Sequence, residues 1–458
     1  MSEWTLCIDF GTAFSKAAAA PRDAWTRFDP RFVRPLMLGG VQETGNAFLL
    51  ESAVFVDDDR ILFGRAAMAR ADSLAQHKRM ALRSFKTLLS VSDLDRALNT
   101  NAPTSIDPHH MFQMRDMVVL YLAYLLAAVD AAAAYDELVS KASGIEWRYA
   151  APAWRSGDSA GMHPAIVRLF GEADALRTAM GDDMLEPAGV PITTVQTQLP
   201  KAMAKPEAFE MGLIFEATAA AAFSSIGLQD SASHMIVVDM GAGTTDVAAL
   251  VRSGSKLSEL DSARITLKQA GDFIDRALAN VVLDMSKWAK TQTQKTELWD
   301  ALMRNMRDIK ESVFADGQAT LRHEGRVIRV SLKDLERNRD FKTFQKSLQD
   351  AYDQGLLAVN NSAMAHGAPQ IQAIAVGGGA AAPFIQSLIR AKPLRQVRVP
   401  VKARPATPDW AHSRIFHGNL APVFPQLAIA IGGALAPPEM LAAIGGFSPP
   451  AGARNGSR

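Results

Sequence analysis

Met235-Ile236-Val237-Val238-Asp239-Met240-Gly241-Ala242-Gly243-Thr244-Thr245-Asp246 decides the fold. An apolar, β-branched run ends in an aspartate, one apolar residue follows, and a glycine-rich turn leads into a second apolar run, Val247 to Val251. This spells a strand, a tight turn and a returning strand. The beginning of the chain repeats the arrangement: Trp4 to Phe10, then Gly11-Thr12, then Phe14 to Ala20. Asp9 and Asp239 occupy equivalent places. They stand 230 positions apart (239 − 9), close to half of the 458 residues, so the expectation is a duplicated architecture with one such hairpin opening each half and a cleft between them.

Working outward, Ser52 to Val56 and Arg60 to Phe63 read as short strands, Arg65 to Ser73 as a helix and Met111 to Leu138 as a long one. Tyr149 to Ala153 ends a strand, the stretch through Gly189 and Pro191 has no clear period, and Ala217 to Ser225 is an alanine-rich helix begun by Glu216. Ala277 to Trp288 and Lys295 to Val313 follow as helices. Ile371 to Val376 is a buried strand, Gly377-Gly378-Gly379 a turn, and Pro383 opens a helix over Phe384 to Ile389. Strands and helices alternate throughout, which predicts α/β lobes.

Composition narrows the class. The residues are 48% hydrophobic and 21% charged, as in an ordinary globular enzyme rather than a disordered chain. A formal net charge of +1 gives no global field toward nucleic acid or an anionic membrane, so neither is expected as a partner. The single cysteine, Cys7, lies in an apolar run and reads as a buried thiol. Ser2 to Thr5 have neither the basic start nor the apolar stretch of a signal peptide, and a cytoplasmic location is expected. Met117 to Val129, closed by Asp130, is short of the roughly 20 residues a membrane span needs and reads as a buried helix. Residues 437–458, rich in Pro, Gly, Ala and Ser, read as a flexible tail.

An aspartate that ends a buried strand just before glycines needs something to balance its charge, and a hydrated magnesium ion would do so. Glycines let main-chain N–H groups approach phosphate oxygens without a Cβ in the way, and Thr12, Thr244 and Thr245 could add hydroxyl donors. One such hairpin alone is more often a plain turn; two matched copies argue for a phosphate site. The Walker ending Gly-Lys-Ser/Thr is absent, which sets a P-loop enzyme aside. Gly377-x-Gly379 follows a strand, but Ala382 stands where a dinucleotide fingerprint has its third glycine and the expected acidic residue is missing. The turn reads equally as a strand-to-helix connector or as a close-packing surface for a ribose or adenine.

The series of segments resembles the nucleotide-binding domain of the DnaK-type heat-shock chaperones, within the actin-like ATPase superfamily. Ile8 to Ser15 resembles its first phosphate segment, Phe63-Gly64-Arg65-Ala66-Ala67 a conserved Val-Gly-x-Ala-Ala stretch, and Ser84 to Leu89 the region of its catalytic lysine. Ala151-Pro152-Ala153-Trp154 resembles Val-Pro-Ala-Tyr, and Phe215 to Ala221 resembles Asn-Glu-Pro-Thr-Ala-Ala-Ala. Asp239 to Val247 is similar to the second phosphate segment, Gly271-Asp272-Phe273 to Gly-Gly-Asp-Phe, Val376 to Pro383 to the adenosine segment, and Pro425 to Gly432 to the closing helix. The likeness spans roughly residues 3 to 436. It departs where Ala380, Ala381 and Ala382 replace a base-stacking arginine, and where Arg307 to Phe314 keep Lys310 but lack the family's glutamate and serine. The expectation is of a chain without the family's linker and peptide-clamping domain after the closing helix, so the family's chaperone cycle is not carried over.

The resemblance implies two duplicated, ribonuclease-H-like lobes around a central nucleotide cleft. Lobe I spans 1–228 with an insertion at about 39–125; lobe II spans 229–436 with an insertion at about 268–345 and a closing helix at about 423–436 that returns to lobe I. It implies a slow ATPase taking ATP and water to ADP and phosphate with magnesium. Asp9 and Asp239 are then expected to hold the ion through its waters, and Gly11, Thr12, Ala13, Gly241, Ala242, Gly243, Thr244 and Thr245 to cradle phosphates. Lys86 would orient the attacking water, Glu216 and Asp246 would tether metal waters or take a proton, and Lys310, Gly377, Gly378 and Gly379 would line the adenosine. An unidentified client or co-chaperone would read the nucleotide-driven movement of the lobes. Two alternatives stand beside the switch: an actin-like filament protein whose polymerisation nucleotide gates, and a scaffold that binds nucleotide without turnover.

Overall fold

The computed structural model describes residues 3–40, 46–89, 91, 93–152, 159–226, 233–412 and 420–442. Nine strands come from the first half: β1 Glu3–Asp9, β2 Phe14–Pro21, β3 Arg34–Pro35, β4 Leu50–Glu51, β5 Val54–Val56, β6 Arg60–Phe63, β7 Gly144–Ala151, β8 Val190–Pro191 and β9 Met211–Phe215. The helices that matter to the site here are α1 Phe85–Leu88, α2 Met114–Tyr135, α3 Ser159–Met180 and α4 Glu216–Ser225. Strand β1 is buried on both faces after Glu3, as its unbroken apolar run requires. It pairs antiparallel with β2 and parallel with β7 in a sheet ordered β3-β2-β1-β7-β9, with β4 also on β2. Strands β5, β6 and β8 form a small separate sheet.

The second half adds β10 His234–Met240, β11 Thr245–Ser253, β12 Lys256–Glu259, β13 Ile265–Leu267, β14 Gln318–His323, β15 Arg326–Ser331, β16 Ile371–Val376 and β17 Val401–Arg404. Its main helices are α5 Gly271–Met285, α6 Gln292–Arg304, α7 Met306–Asp316, α8 Arg339–Ala365, α9 Pro383–Arg390 and α10 Leu420–Leu435. The sheet order is β12-β11-β10-β16-β17, with β13 also on β11. Each junction repeats the sense of its counterpart in the first sheet: two antiparallel pairings, then two parallel ones. The chain is therefore a mixed α/β protein with two matching six-stranded sheets.

An apolar seam joins the sheets. Cys7, Ala18 and Ile214 of the first meet Met235, Val237 and Val376 of the second through Ala219 to Phe223 of α4 and Phe424 to Ile431 of α10. The alanine run is what lets two helices enter so narrow a space. A Cβ on Gly432 would sit 1.9 Å from the Ala219 carbonyl oxygen, and one on Gly433 2.3 Å from Cys7 Sγ. Buried Arg148 on β7 then donates to the Ala436 carbonyl at 2.5 Å and to Gly433 at 3.1 Å, satisfying main-chain groups that end α10.

Several expectations are corrected. The long helix read over Met111 to Leu138 is present and buried, as Met114–Tyr135, but its apolar stretch is not short: its 22 residues are long and apolar enough to cross a membrane, with 78% of the most apolar window buried against the rest of the protein. Burial in the core, not shortness, accounts for it. The helix read over Lys295 to Val313 is two, broken at Asn305, and that read from Ala277 starts six residues earlier at Gly271. The stretch left unread before Gly189 carries helix α3, which tolerates Pro164 near its start. The beginning of the expected tail is tied down: Met440 is buried and the Ala442 N–H donates to the Leu213 carbonyl at 2.9 Å. Residues 443–458, Ala153 and Trp154, and the 228/229 boundary lie outside the described residues.

Candidate functional site

The two matched hairpins carry their aspartates to one place. Asp9 is the last residue of β1 and Asp239 the last but one of β10, and both are almost wholly buried. Register sets their cross-strand partners: Lys16 lies opposite Asp9, and Asp246 opposite Asp239. Lys16 Nζ donates to Asp9 Oδ2 at 2.6 Å. Lys16 was not among the residues singled out from the sequence. Its signal was there, because a lysine seven positions after Asp9 falls on the same face of a hairpin closed by a short turn.

Lys86 reaches the site from the short helix α1. Ahead of it Ser84 holds a left-handed φ of 63°, uncommon for a residue with a side chain and characteristic of functional loops. Behind it Phe85 is clamped: its ring stacks on Tyr121 of α2 at 4.5 Å, and Tyr121 stacks in turn on Phe10 at 5.6 Å. The Tyr121 hydroxyl bonds Ser15 at 2.8 Å and Ser52 at 3.0 Å, and Ser52 donates to the Gly11 carbonyl at 2.9 Å. One buried network therefore fixes both the lysine and the first glycine turn.

Lys86 Nζ donates to Glu216 Oε2 at 2.6 Å, where Glu216 is the first residue of α4. Burial works against the lysine's charge, but Glu216, Asp239, Asp9 and Asp246 outweigh it and hold Lys86 firmly protonated. Burial pushes Asp239 up to about 6, with Lys86 opposing and Asp246 and Asp9 reinforcing the rise. Glu216 is also driven upward by burial, against the pull of Lys86. Its second oxygen, Oε1, is buried and has no hydrogen-bond partner.

The turns are built for close approach. A Cβ on Gly11 would lie 2.1 Å from the Phe14 carbonyl oxygen. In the second turn Gly241 donates to the Thr244 carbonyl at 3.0 Å, while Gly241 and Ala242 accept from the N–H groups of Gly271 and Asp272 that start α5. The third glycine turn leans on the second hairpin. Gly377 has a φ of 85°, its Cβ would meet Asp239 Oδ1 at 2.4 Å, and the Gly379 N–H donates to the Met240 carbonyl at 2.9 Å. Gly378 has Gln426 of α10 as its nearest neighbour, 3.9 Å from a Cβ placed there.

Not every expected residue points into this centre. The Thr245 hydroxyl is buried and donates to the Gln269 carbonyl at 2.8 Å, so it is engaged away from any phosphate. Asp246 already accepts from Thr244 at 3.0 Å and from Thr266. Lys310 pairs with Asp275 at 2.7 Å and reaches the Gly271 carbonyl, which puts it behind the second turn. Thr12, Ala13, Gly243 and Thr244 line the two turns and are half-buried. Among the described residues no three His, Cys, Asp or Glu side chains converge as direct metal ligands. A cavity of about 20 Å³ on the other side of Lys86 is apolar, walled by Phe10, Leu89, Tyr149, Ile166 and Phe170, and takes in neither aspartate nor the glycine turns. No family model matches the chain, and no curated protein matches it.

Proposed function

We propose that this chain is an ATPase of the actin-like fold, related to the nucleotide-binding domain of DnaK-type chaperones, and that it works as a nucleotide-dependent conformational switch. The observation that carries this reading is the convergence, between two sheets of identical order, of the two hairpin aspartates on a buried Lys86–Glu216 pair. Buried charge at the ends of central strands, beside a turn in which Gly11 leaves no room for a Cβ, is costly unless a ligand uses it.

The residues fit magnesium and ATP. The partnerless Glu216 Oε1 and the raised Asp239 carboxyl are groups that a hydrated cation would satisfy, and the glycine cradles leave the approach that phosphates need. Asp9 and Asp239 would hold the ion through its waters; magnesium supplies charge neutralisation on the phosphates. The main-chain N–H groups of the two turns would bind phosphate oxygens. Lys86 would exchange Glu216 for the γ-phosphate and fix the attacking water, leaving Glu216 to accept that water's proton. Lys16 would exchange Asp9 for a phosphate oxygen in the same way. Phosphoryl transfer then follows from positioning and charge rather than from covalent catalysis.

ATP binding with and without magnesium, together with single-turnover hydrolysis, tests the reading. In Lys86→Ala, binding within about threefold of wild type is expected with hydrolysis lowered at least 100-fold, on the order of a lost transition-state contact. Asp239→Ala is expected to lose the magnesium dependence of binding. A wild-type protein that binds ATP without hydrolysing it leaves the scaffold, and one that does not bind it sinks the proposal.

A further inference from the structure

A cavity of about 360 Å³ lies elsewhere, between the β14–β15 hairpin and helices α6 and α7. One wall is a helical stripe, Ala301, Asn305, Asp308 and Ser312, at spacings of three and four. The other is an unbroken stretch of strand, Ala319 to His323. The strand wall spans about 14 Å from Ala319 to His323 at the rise of a β-strand. Such a groove has the length of five extended residues.

The strand wall offers main-chain partners. Among the described residues β14 pairs with β15 alone. The hairpin turns through Glu324 and Gly325, both left-handed at φ 47° and 73°, which makes a two-residue turn closed by the pair His323↔Arg326. That pair exchanges both main-chain hydrogen bonds, and so, in alternation, do Leu321↔Ile328 and Ala319↔Val330. The N–H and C=O groups of Thr320 and Arg322 therefore point away from β15, on the side of the groove these residues line. His323 Nε2, also in this wall, is buried without a partner.

Charge selects the occupant. The hairpin carries Arg322, Arg326 and Arg329 against the single acid Glu324. Arg326 is held over the Trp288 ring at 4.4 Å, whereas Arg322 and Arg329 are exposed and, among the described residues, form no ion pair. On the helix wall stands Asp308, beside the small residues Ala301 and Ser312. We propose that the edge of β14 is a docking site for an extended peptide segment of a partner protein. The segment adds to the hairpin as a third strand, with acidic residues at alternate positions beside Arg322 and Arg329 and small or β-branched residues turned to the helix wall. This surface is independent of the nucleotide reading.

Fluorescence anisotropy with the full chain and a labelled peptide, Glu-Val-Glu-Thr-Glu-Val, tests the site. Saturable binding is expected, weakened at least tenfold by Ala301→Trp, which fills the groove from the helix side. The same peptide N-methylated at alternate residues is expected to lose at least tenfold as well, since it cannot pair with the strand edge. The double variant Arg322→Glu/Arg329→Glu, on an exposed face, should reverse preference to Lys-Val-Lys-Thr-Lys-Val. No saturable binding, or binding indifferent to N-methylation and to Ala301→Trp, overturns the proposal; the second outcome would mean attraction to surface charge alone.

Discussion

Lys86 is the residue on which the site's balance rests. With four carboxylates in its field, replacing it by an apolar side chain leaves a buried negative cluster headed by Glu216. Lys86→Met is therefore expected to cost about 3 kcal/mol, in the range for breaking a buried pair from one side, while Lys86→Met/Glu216→Gln recovers to within about 1 kcal/mol of wild type. Urea melts of the four proteins close the cycle; additivity would mean that the 2.6 Å contact carries no coupling. A second buried group sets a pH response. His234 at the start of β10 is held below its ordinary value by burial first and by His366 second, against a hydrogen bond that its ring N–H gives to the Ser362 main chain. The unfolded chain takes up this proton below about pH 6.5 and the folded chain only further down. Stability present above that pH is therefore lost as pH falls, and His234→Gln should flatten the loss in melts between pH 7.5 and 5.5. Which site residues were legible followed from geometry. Asp9, Asp239 and the glycines announce themselves because charge at a strand end beside glycine is locally unusual. Lys16 was legible from the hairpin pattern and its spacing from Asp9, whereas the engaged hydroxyl of Thr245 depends on Gln269, 24 positions away.

Among elements, α4 and α10 show how sequence chooses where helices can touch. The contact requires Gly432, whose added Cβ would fall 1.9 Å from the Ala219 main chain, whereas Gly161 in α3 is exposed and has open space around its Cβ position. Gly432→Ala is expected to destabilise by about 3 kcal/mol or more, and Gly161→Ala to stabilise by up to about 1 kcal/mol. Equal effects in chemical denaturation would show that helix propensity, not the seam, governs both positions. The same contrast explains what was readable in the elements. Buried strands such as β10 and β16 are continuous apolar runs between turn residues and were found from their patterns. Helix α8 was legible and passed over: Phe341, Phe344, Leu348, Ala351, Tyr352, Leu356 and Val359 trace one face at the three- and four-residue spacing of an amphipathic helix. Helices α6 and α7 merged in the reading because the break at Asn305 is made by tertiary packing of Leu302 and Met306, not by glycine or proline.

At the scale of the whole molecule, the seam of α4 and α10 joins the two sheets, and a second contact reaches from α7 to the first hairpin. Arg307 of α7 lies 5.0 Å over the ring of Phe14, which belongs to the first hairpin. Around it, Arg307 is within the electrostatic reach of Glu51, Arg304 of Asp72, and Arg83 of Asp272, so charges from both halves face each other here. Under the proposed function, nucleotide exchange would require the two halves to part at this contact. Arg307→Ala removes the ring contact while leaving Lys86, Asp9 and Asp239 untouched. If the bridge holds the halves together, the variant should release a fluorescent ATP analogue severalfold faster in stopped flow, with the hydrolysis step in a single turnover unchanged. An unchanged release rate would mean that opening is governed at the seam instead, and Gly432→Ala would then be the variant that alters exchange.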